Sequence, residues 1–271
     1  MDNNKNLEQQ LAEEVDRLVS LKGKDNWSET RNNSNFDLVQ RTYSFGTRNC
    51  YVKKNDGHNV YVDLQSSRGI GIEENDSLDR IMSSIDDSLE LIESDLVRIN
   101  ELEHIFDNKE IFPDEPAHKG FAELGFRIPR LMKYYRETHD VPSWGYDISP
   151  LSLGVAKRLD YDARFYDFDE CDERLDLAGA SLVISYHMLE HLSDPLKAIK
   201  KIFCEMDLGA YFHVEIPIEP GTPRIEFAHM FPFEPRDMGH MLNEAGFRAF
   251  TLSTSTHQGG SHIERYFAGK I

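Results

Sequence analysis

Cysteine is scarce. Only Cys50, Cys171 and Cys204 occur in 271 residues, widely separated and odd in number. That excludes a disulfide framework and gives no zinc-type cysteine spacing, and it suits a reducing cytoplasm. No apolar run is long enough to cross a bilayer, so a membrane-spanning segment is not expected. Basic charge is in the minority, with 30 Lys and Arg against 48 Asp and Glu and a formal net charge of −18. An electrostatic nucleic-acid footprint is therefore not expected, and large anionic partners are disfavoured. The start, MDNNKNLEQQLAEE, is polar and acidic, unlike a secretory signal or a transit peptide. Internal repeats and low-complexity tracts are also missing. The length remains ample for a full hydrophobic core.

What is present divides near residue 112. Leu7, Leu11, Val15 and Leu18 recur at helical spacing, so residues 6–21 read as an amphipathic helix for packing or dimerisation. Residues 22–35 read as a polar loop. NCYVKK and NVYVDL alternate around Asn55-Asp56-Gly57-His58, which predicts a β-hairpin over residues 49–64. Asp76-Ser77 precedes one long stripe, Leu78, Ile81, Ile85, Leu89, Ile92, Leu96 and Ile99. This predicts a single long helix whose opposite face, Asp86, Glu90, Glu93 and Asp95, is solvated. Residues 108–118, with two prolines, read as a linker. Residues 1–112 are thus expected to form a helix–hairpin–helix extension, and residues 113–271 a separate domain.

The second part alternates short apolar strands with helices, the pattern of an open parallel sheet. FAEL ends at Gly125 in a tight turn that needs a positive φ. A helix over residues 130–138 follows, then a strand ending in Asp147. RFYDFD ends a third strand with Asp167 and Asp169. ASLVISYHMLEH is a fourth strand followed by His187, Glu190 and His191, and Ser193-Asp194-Pro195 opens another helix. YFHVEIPI, a helix over residues 234–245 ended by Gly246, and two last strands complete the pattern. In such a sheet the ligand crevice lies beyond the carboxyl ends of the strands.

AELG, GYDISP, the DFD turn and above all SYHMLEHLSDPLKAIKKI resemble the class I S-adenosylmethionine-dependent methyltransferase superfamily, and HMFPFEPRDMGHMLNEAGF resembles the late helix of many small-molecule and sugar enzymes of that group. The resemblance covers roughly residues 117–271. It implies an α/β, Rossmann-like, mostly parallel sheet with helices on both faces, and S-adenosyl-L-methionine as cofactor. The first turn departs from the acidic-x-Gly-x-Gly-x-Gly pattern, because Arg127 and Pro129 replace two glycines. By this resemblance Asp147, followed by Ile148, accepts from the ribose hydroxyls. Glu123 and Gly125 border the methionine end, Asp167 and Phe168 flank the adenine, and Ser185 and Tyr186 line the sulfonium region. A plain helix-capping role for Asp147 is the alternative.

Methyl transfer to a hydroxyl needs alignment and proton removal, for which histidine is suited. Five candidates fall near strand ends: His187, His191, His213, Glu215 and His229. His187 ranks first and His229 second, with His191 behind them. The expectation is therefore an O-methyltransferase acting on a small polar acceptor, with a sugar or nucleotide-sugar favoured. No nucleic acid, membrane or resident metal is expected, and the protein could be a homodimer. Two other readings stand beside it. His187-x-x-Glu190-His191 spells an inverted zinc-protease motif, and the glycine-poor turn would also suit an interaction module without cofactor.

Overall fold

The computed structural model describes residues 2–22, 35–54, 57–73, 75–107, 119–224, 227–256 and 262–271. Its centre is a seven-stranded sheet in the order β5-β4-β3-β6-β7-β9-β8. The strands are β3 (Phe121–Leu124), β4 (Ser143–Asp147), β5 (Asp162–Phe165), β6 (Leu182–Tyr186), β7 (Tyr211–Ile218), β8 (Arg248–Thr256) and β9 (His262–Gly269). The pairs from β5 through to β7 are parallel, whereas β9 runs antiparallel to both β7 and β8. Because β3 pairs with β4 on one side and β6 on the other, the strand order reverses there. That reversal opens a crevice beyond the carboxyl ends of β3, β4 and β6. The central strands are buried on both faces, which explains their continuous apolar runs.

Helices α5 (Arg130–His139), α6 (Pro150–Arg158), α7 (Pro195–Glu205) and α8 (Asp237–Ala245) connect and cover the strands. Their starts follow the sequence. Ser149 caps α6 by accepting from the Ser152 N–H, and Asp194 caps α7 by accepting from the Lys197 N–H, each with proline at the first turn. Gly246, at φ 106°, ends α8 in the left-handed conformation that glycine adopts without a Cβ penalty.

The N-terminal segment contributes α1 (Asp2–Lys22), β1 (Phe36–Tyr43), β2 (Gly46–Lys53), α2 (Gly57–Gly69), α3 (Leu78–Asp87) and α4 (Glu93–Asp107). The expected helix at the start is there, with Leu11, Val15 and Leu18 buried against Leu151 and Val155 of α6. The hairpin exists but is displaced. It joins β1 to β2 through Ser44-Phe45, while Val60, Tyr61 and Val62, expected to be strand, lie in α2. Tertiary contacts decide this: the Tyr61 hydroxyl donates to the His191 carbonyl at 2.8 Å, and the Lys53 ammonium stands 4.4 Å from the Tyr61 ring centroid. The expected long helix is two helices, broken between Asp87 and Glu93. Beyond the break the buried face turns to Asp95, Arg98, Ile99 and Leu102, while Ile92 and Leu96 are exposed. Asp95 is accordingly not on a solvated face; it is buried between Arg98 and Arg130. The expected loop at 23–34 and linker at 108–118 lie outside the described residues. No helix among the described residues is long and apolar enough to cross a membrane.

Candidate active site

A cleft of about 350 Å³ opens at the strand reversal. Glu123, Gly125, Asp147, Ile148, Asp167, Phe168, Tyr186, His187 and His191 all border it, so strand-end geometry brings most of the sequence candidates together. Ser185 is fully buried, next to the cleft-lining Tyr186, and does not border the cleft itself.

The turn after β3 holds its shape without the usual glycines. Gly125 has φ 75° and donates its N–H to the Tyr146 carbonyl at 2.8 Å. Arg127 has φ 52°, a left-handed conformation uncommon outside glycine and asparagine. Its N–H donates to Asp147 Oδ2 at 2.9 Å, and the Ser149 N–H donates to Asp147 Oδ1 at 2.8 Å. Asp147 thus organises two turns, while lone pairs on both carboxylate oxygens remain for hydroxyl donors. Burial pushes its carboxyl up, against the opposing pull of those N–H groups. Glycine at 125 also admits a neighbour, since a Cβ there would stand 2.7 Å from Met188 Cγ.

Glu123 is buried, and burial with Asp95 nearby drives its carboxyl well above the usual range. Its Oε2 is buried without a hydrogen-bond partner, in a residue that borders the cleft. A buried bare carboxylate oxygen is costly unless a cationic or hydrogen-bond donating ligand meets it. At the opposite end Asp167 accepts the Asp169 N–H at 2.8 Å and lies 2.9 Å from His58 Nδ1 and 3.5 Å from Lys53 Nζ. Lys53 and His58 come from the N-terminal segment, which also supplies Tyr61, Gln65, Asp95 and Arg98 to the cleft wall. Sequence reasoning missed Lys53 and His58, because the displaced hairpin hid the position of Lys53 at the end of β2.

His187 follows β6 with φ 53° and stands between two carboxylates, Nδ1 3.2 Å from Glu190 Oε1 and Nε2 2.9 Å from Glu215 Oε1. Burial alone would lower its pKa, yet the bonds to Glu190 and Glu215 outweigh that and push it up to about 9. An imidazolium at neutral pH has no lone pair to accept a proton, which bears directly on its expected place as first-ranked base. Glu215 also pairs with Arg98 and with Arg265, and His187 and Arg98 hold its carboxyl well below the usual range against burial. Burial drives His213 down to about 3, and its Nδ1 lies 2.6 Å from the Tyr186 hydroxyl.

His191 and His229 meet across the late loop, with ring centroids 5.0 Å apart. Burial lowers the His191 pKa. Leu189–His191 is a single 3-10 turn, so His187 and His191 do not occupy successive turns of one α-helix as an inverted zinc-protease motif requires. The alternative zinc-protease reading of those residues thus lacks the helical geometry it calls for.

No family model matches the sequence, and no curated protein matches it. Solved structures do match. Phosphoethanolamine N-methyltransferase 2 of Haemonchus contortus, solved with phosphomonomethylethanolamine and S-adenosylhomocysteine, has a TM-score of 0.50 at 13% identity, over 63% of this chain and 53% of that one. A putative S-adenosylmethionine-dependent methyltransferase from Listeria monocytogenes has 0.47 at 13%, over 63% and 99%. The [4+2]-cyclase SpnF has 0.48 at 11%, over 56% and 74%. At such identities the likeness concerns the fold, and the fold is the class I methyltransferase one that the motifs led us to expect.

Proposed function

We propose that this chain transfers a methyl group from S-adenosyl-L-methionine to a hydroxyl of a small polar acceptor, with a sugar or nucleotide-sugar the favoured class. The observation that carries the reading is the pairing of two strand-end carboxylates on one cleft: Asp147 with lone pairs to spare, and Glu123 with a buried bare oxygen. Two hydroxyls and an ammonium group, carried at a distance on one ligand, match that pair. Fold likeness alone would not name a reaction.

In this reading Asp147 grips the ribose hydroxyls, Glu123 meets the ammonium of the methionine end, and Phe168 and Asp167 border the adenine. The cofactor, when bound, supplies an electrophilic methyl group on sulfur. The chain's own work is then orientation and proton management. His187, pinned between Glu190 and Glu215, acts as a fixed cation that orders the strand end rather than as the base. The acceptor hydroxyl and its departing proton lie at the end of the cleft that His191 borders; His229 is not among the described cleft-lining residues. The segment before residue 113 shapes the acceptor pocket, a role supported by Tyr61, Gln65, Ile92 and Arg98, which line the cleft.

The test is methyl transfer from labelled S-adenosylmethionine to a panel of sugars and nucleotide-sugars. Label on a hydroxyl in the wild type, lost in Asp147→Ala, is the expected result. Cofactor binding with no label on any hydroxyl overturns the acceptor class, whereas failure to bind cofactor overturns the methyltransferase reading itself.

A further inference from the structure

Glu190, His191 and His229 converge from two segments. One donor atom from each lies within 4.8 Å of the other two. The segments are strapped together, since the N–H groups of Met230 and Phe231 both donate to the Glu190 carbonyl, at 2.8 and 3.0 Å.

The surroundings show which atoms are available. His191 Nδ1 lies 2.9 Å from the Ala228 carbonyl, which can only accept, so that bond forms with the proton on Nδ1. The Gln65 amide nitrogen stands 3.0 Å from the same atom. His229 Nδ1 lies 2.6 Å from Glu219 Oε2. With each Nδ1 so engaged, Nε2 is the atom each imidazole would offer to an ion. Glu190 is 1% exposed; its Oε1 meets His187, and its Oε2 has no hydrogen-bond partner. Histidines whose Nδ1–H is anchored on a carbonyl or carboxylate are the arrangement that orients Nε2 toward a metal. Ala228 itself has φ 57°, a strained conformation that places its carbonyl on His191.

We propose that Glu190, His191 and His229 bind one divalent first-row transition-metal ion. Two imidazoles and one carboxylate suit zinc, manganese or ferrous iron, and not the all-oxygen preference of calcium or magnesium. Donors about 2.1 Å from a tetrahedral ion lie about 3.4 Å from one another, so the three side chains draw in slightly around it. Three protein ligands leave at least one position open, and His191 borders the cleft. Polarising an acceptor hydroxyl at that position would rest on the methyltransferase reading; binding of the ion does not. No resident metal was expected from the sequence; the zinc motif weighed there paired His187 with His191 and left out His229.

The test is titration of tag-free, chelator-stripped full-length protein with zinc and with cobalt(II), read by calorimetry and by the cobalt visible spectrum. One ion per chain is expected, with affinity falling about 100-fold or more in His229→Ala and about 10- to 100-fold in Glu219→Gln, which removes the charge anchoring His229. Melting curves of both variants report folding, and if His229→Ala is unfolded, Glu219→Gln carries the comparison. Absence of binding by the wild type at micromolar ion, or wild-type affinity in the folded variants, overturns the proposal. S-adenosylhomocysteine binding measured in excess chelator separates this outcome from failure of the cofactor site.

Discussion

Arg127 donates its backbone N–H to Asp147 Oδ2 at 2.9 Å while sitting at φ 52°, so the turn after β3 and the end of β4 fix each other. The left-handed conformation stands where glycine is usual, and the hydrogen bond helps to hold it. Arg127→Gly is expected to leave stability within about 1 kcal/mol of wild type, since relief of left-handed strain offsets added unfolded-state entropy. Arg127→Val, β-branched at positive φ, should cost about 1–2 kcal/mol. Denaturant titration checks both; a stable valine variant would show that the turn does not need this backbone.

His187 should titrate near 9 rather than near 6.5, read by NMR of its ring protons. Its folded pKa is raised, so its contribution to stability is complete below about 6.5 and is lost as pH rises through about 9. Glu215→Gln should bring the His187 pKa down and cost about 3–5 kcal/mol, because Arg98 and Arg265 lose a buried partner. A His187 midpoint near 6.5 in the wild type contradicts this arrangement.

His213 acts with the opposite sign. Burial lowers its folded pKa to about 3, so the unfolded chain binds a proton that the folded chain does not. Stability should fall by about 1.4 kcal/mol for each pH unit below 6.5 on its account. Comparing pH 6.5 with pH 5 stays above most carboxylate titrations, and His213→Gln should flatten the slope there. An unchanged slope would mean that His213 is charged in the folded state.

An ideal Cβ on Gly154 would overlap Leu11 Cδ2, where α1 packs on α6. Gly154→Ala should therefore destabilise by about 1–3 kcal/mol through overpacking. In a Leu11→Ala background the same change should be neutral or stabilising, since alanine favours the helix by about 1 kcal/mol over glycine. Additive effects would place α1 elsewhere.

The sheet was legible because its strands carry both signals at once, an apolar run and a chemically distinct end. The strand-end positions of Glu123, Asp147 and His187 can be read from the sequence, as can the helix start at Asp194. The N-terminal half was less legible. Val60, Tyr61 and Val62 carry strand-type side chains, and only long-range bonds from Tyr61 decide for helix. Asp95 looked like a solvated residue because the break before its helix, which no apolar stripe announces, turns it inward to meet Arg130, with Arg98 one turn on. The His191–His229 pairing was hidden for the same reason: its geometry depends on Met230 and Phe231 docking on Glu190. Local pattern records the period of an element and not the residue that will face it.

Calorimetry of the full-length protein with S-adenosylhomocysteine tests the central claim most directly. Saturable one-to-one binding is expected, weakened about tenfold or more in Asp147→Ala with the fold retained, as loss of hydrogen bonds to a charged group implies. Absence of binding at millimolar ligand, or equal affinity in the folded Asp147→Ala variant, would contradict the assignment of the strand-end carboxylates to an adenosine-type ligand.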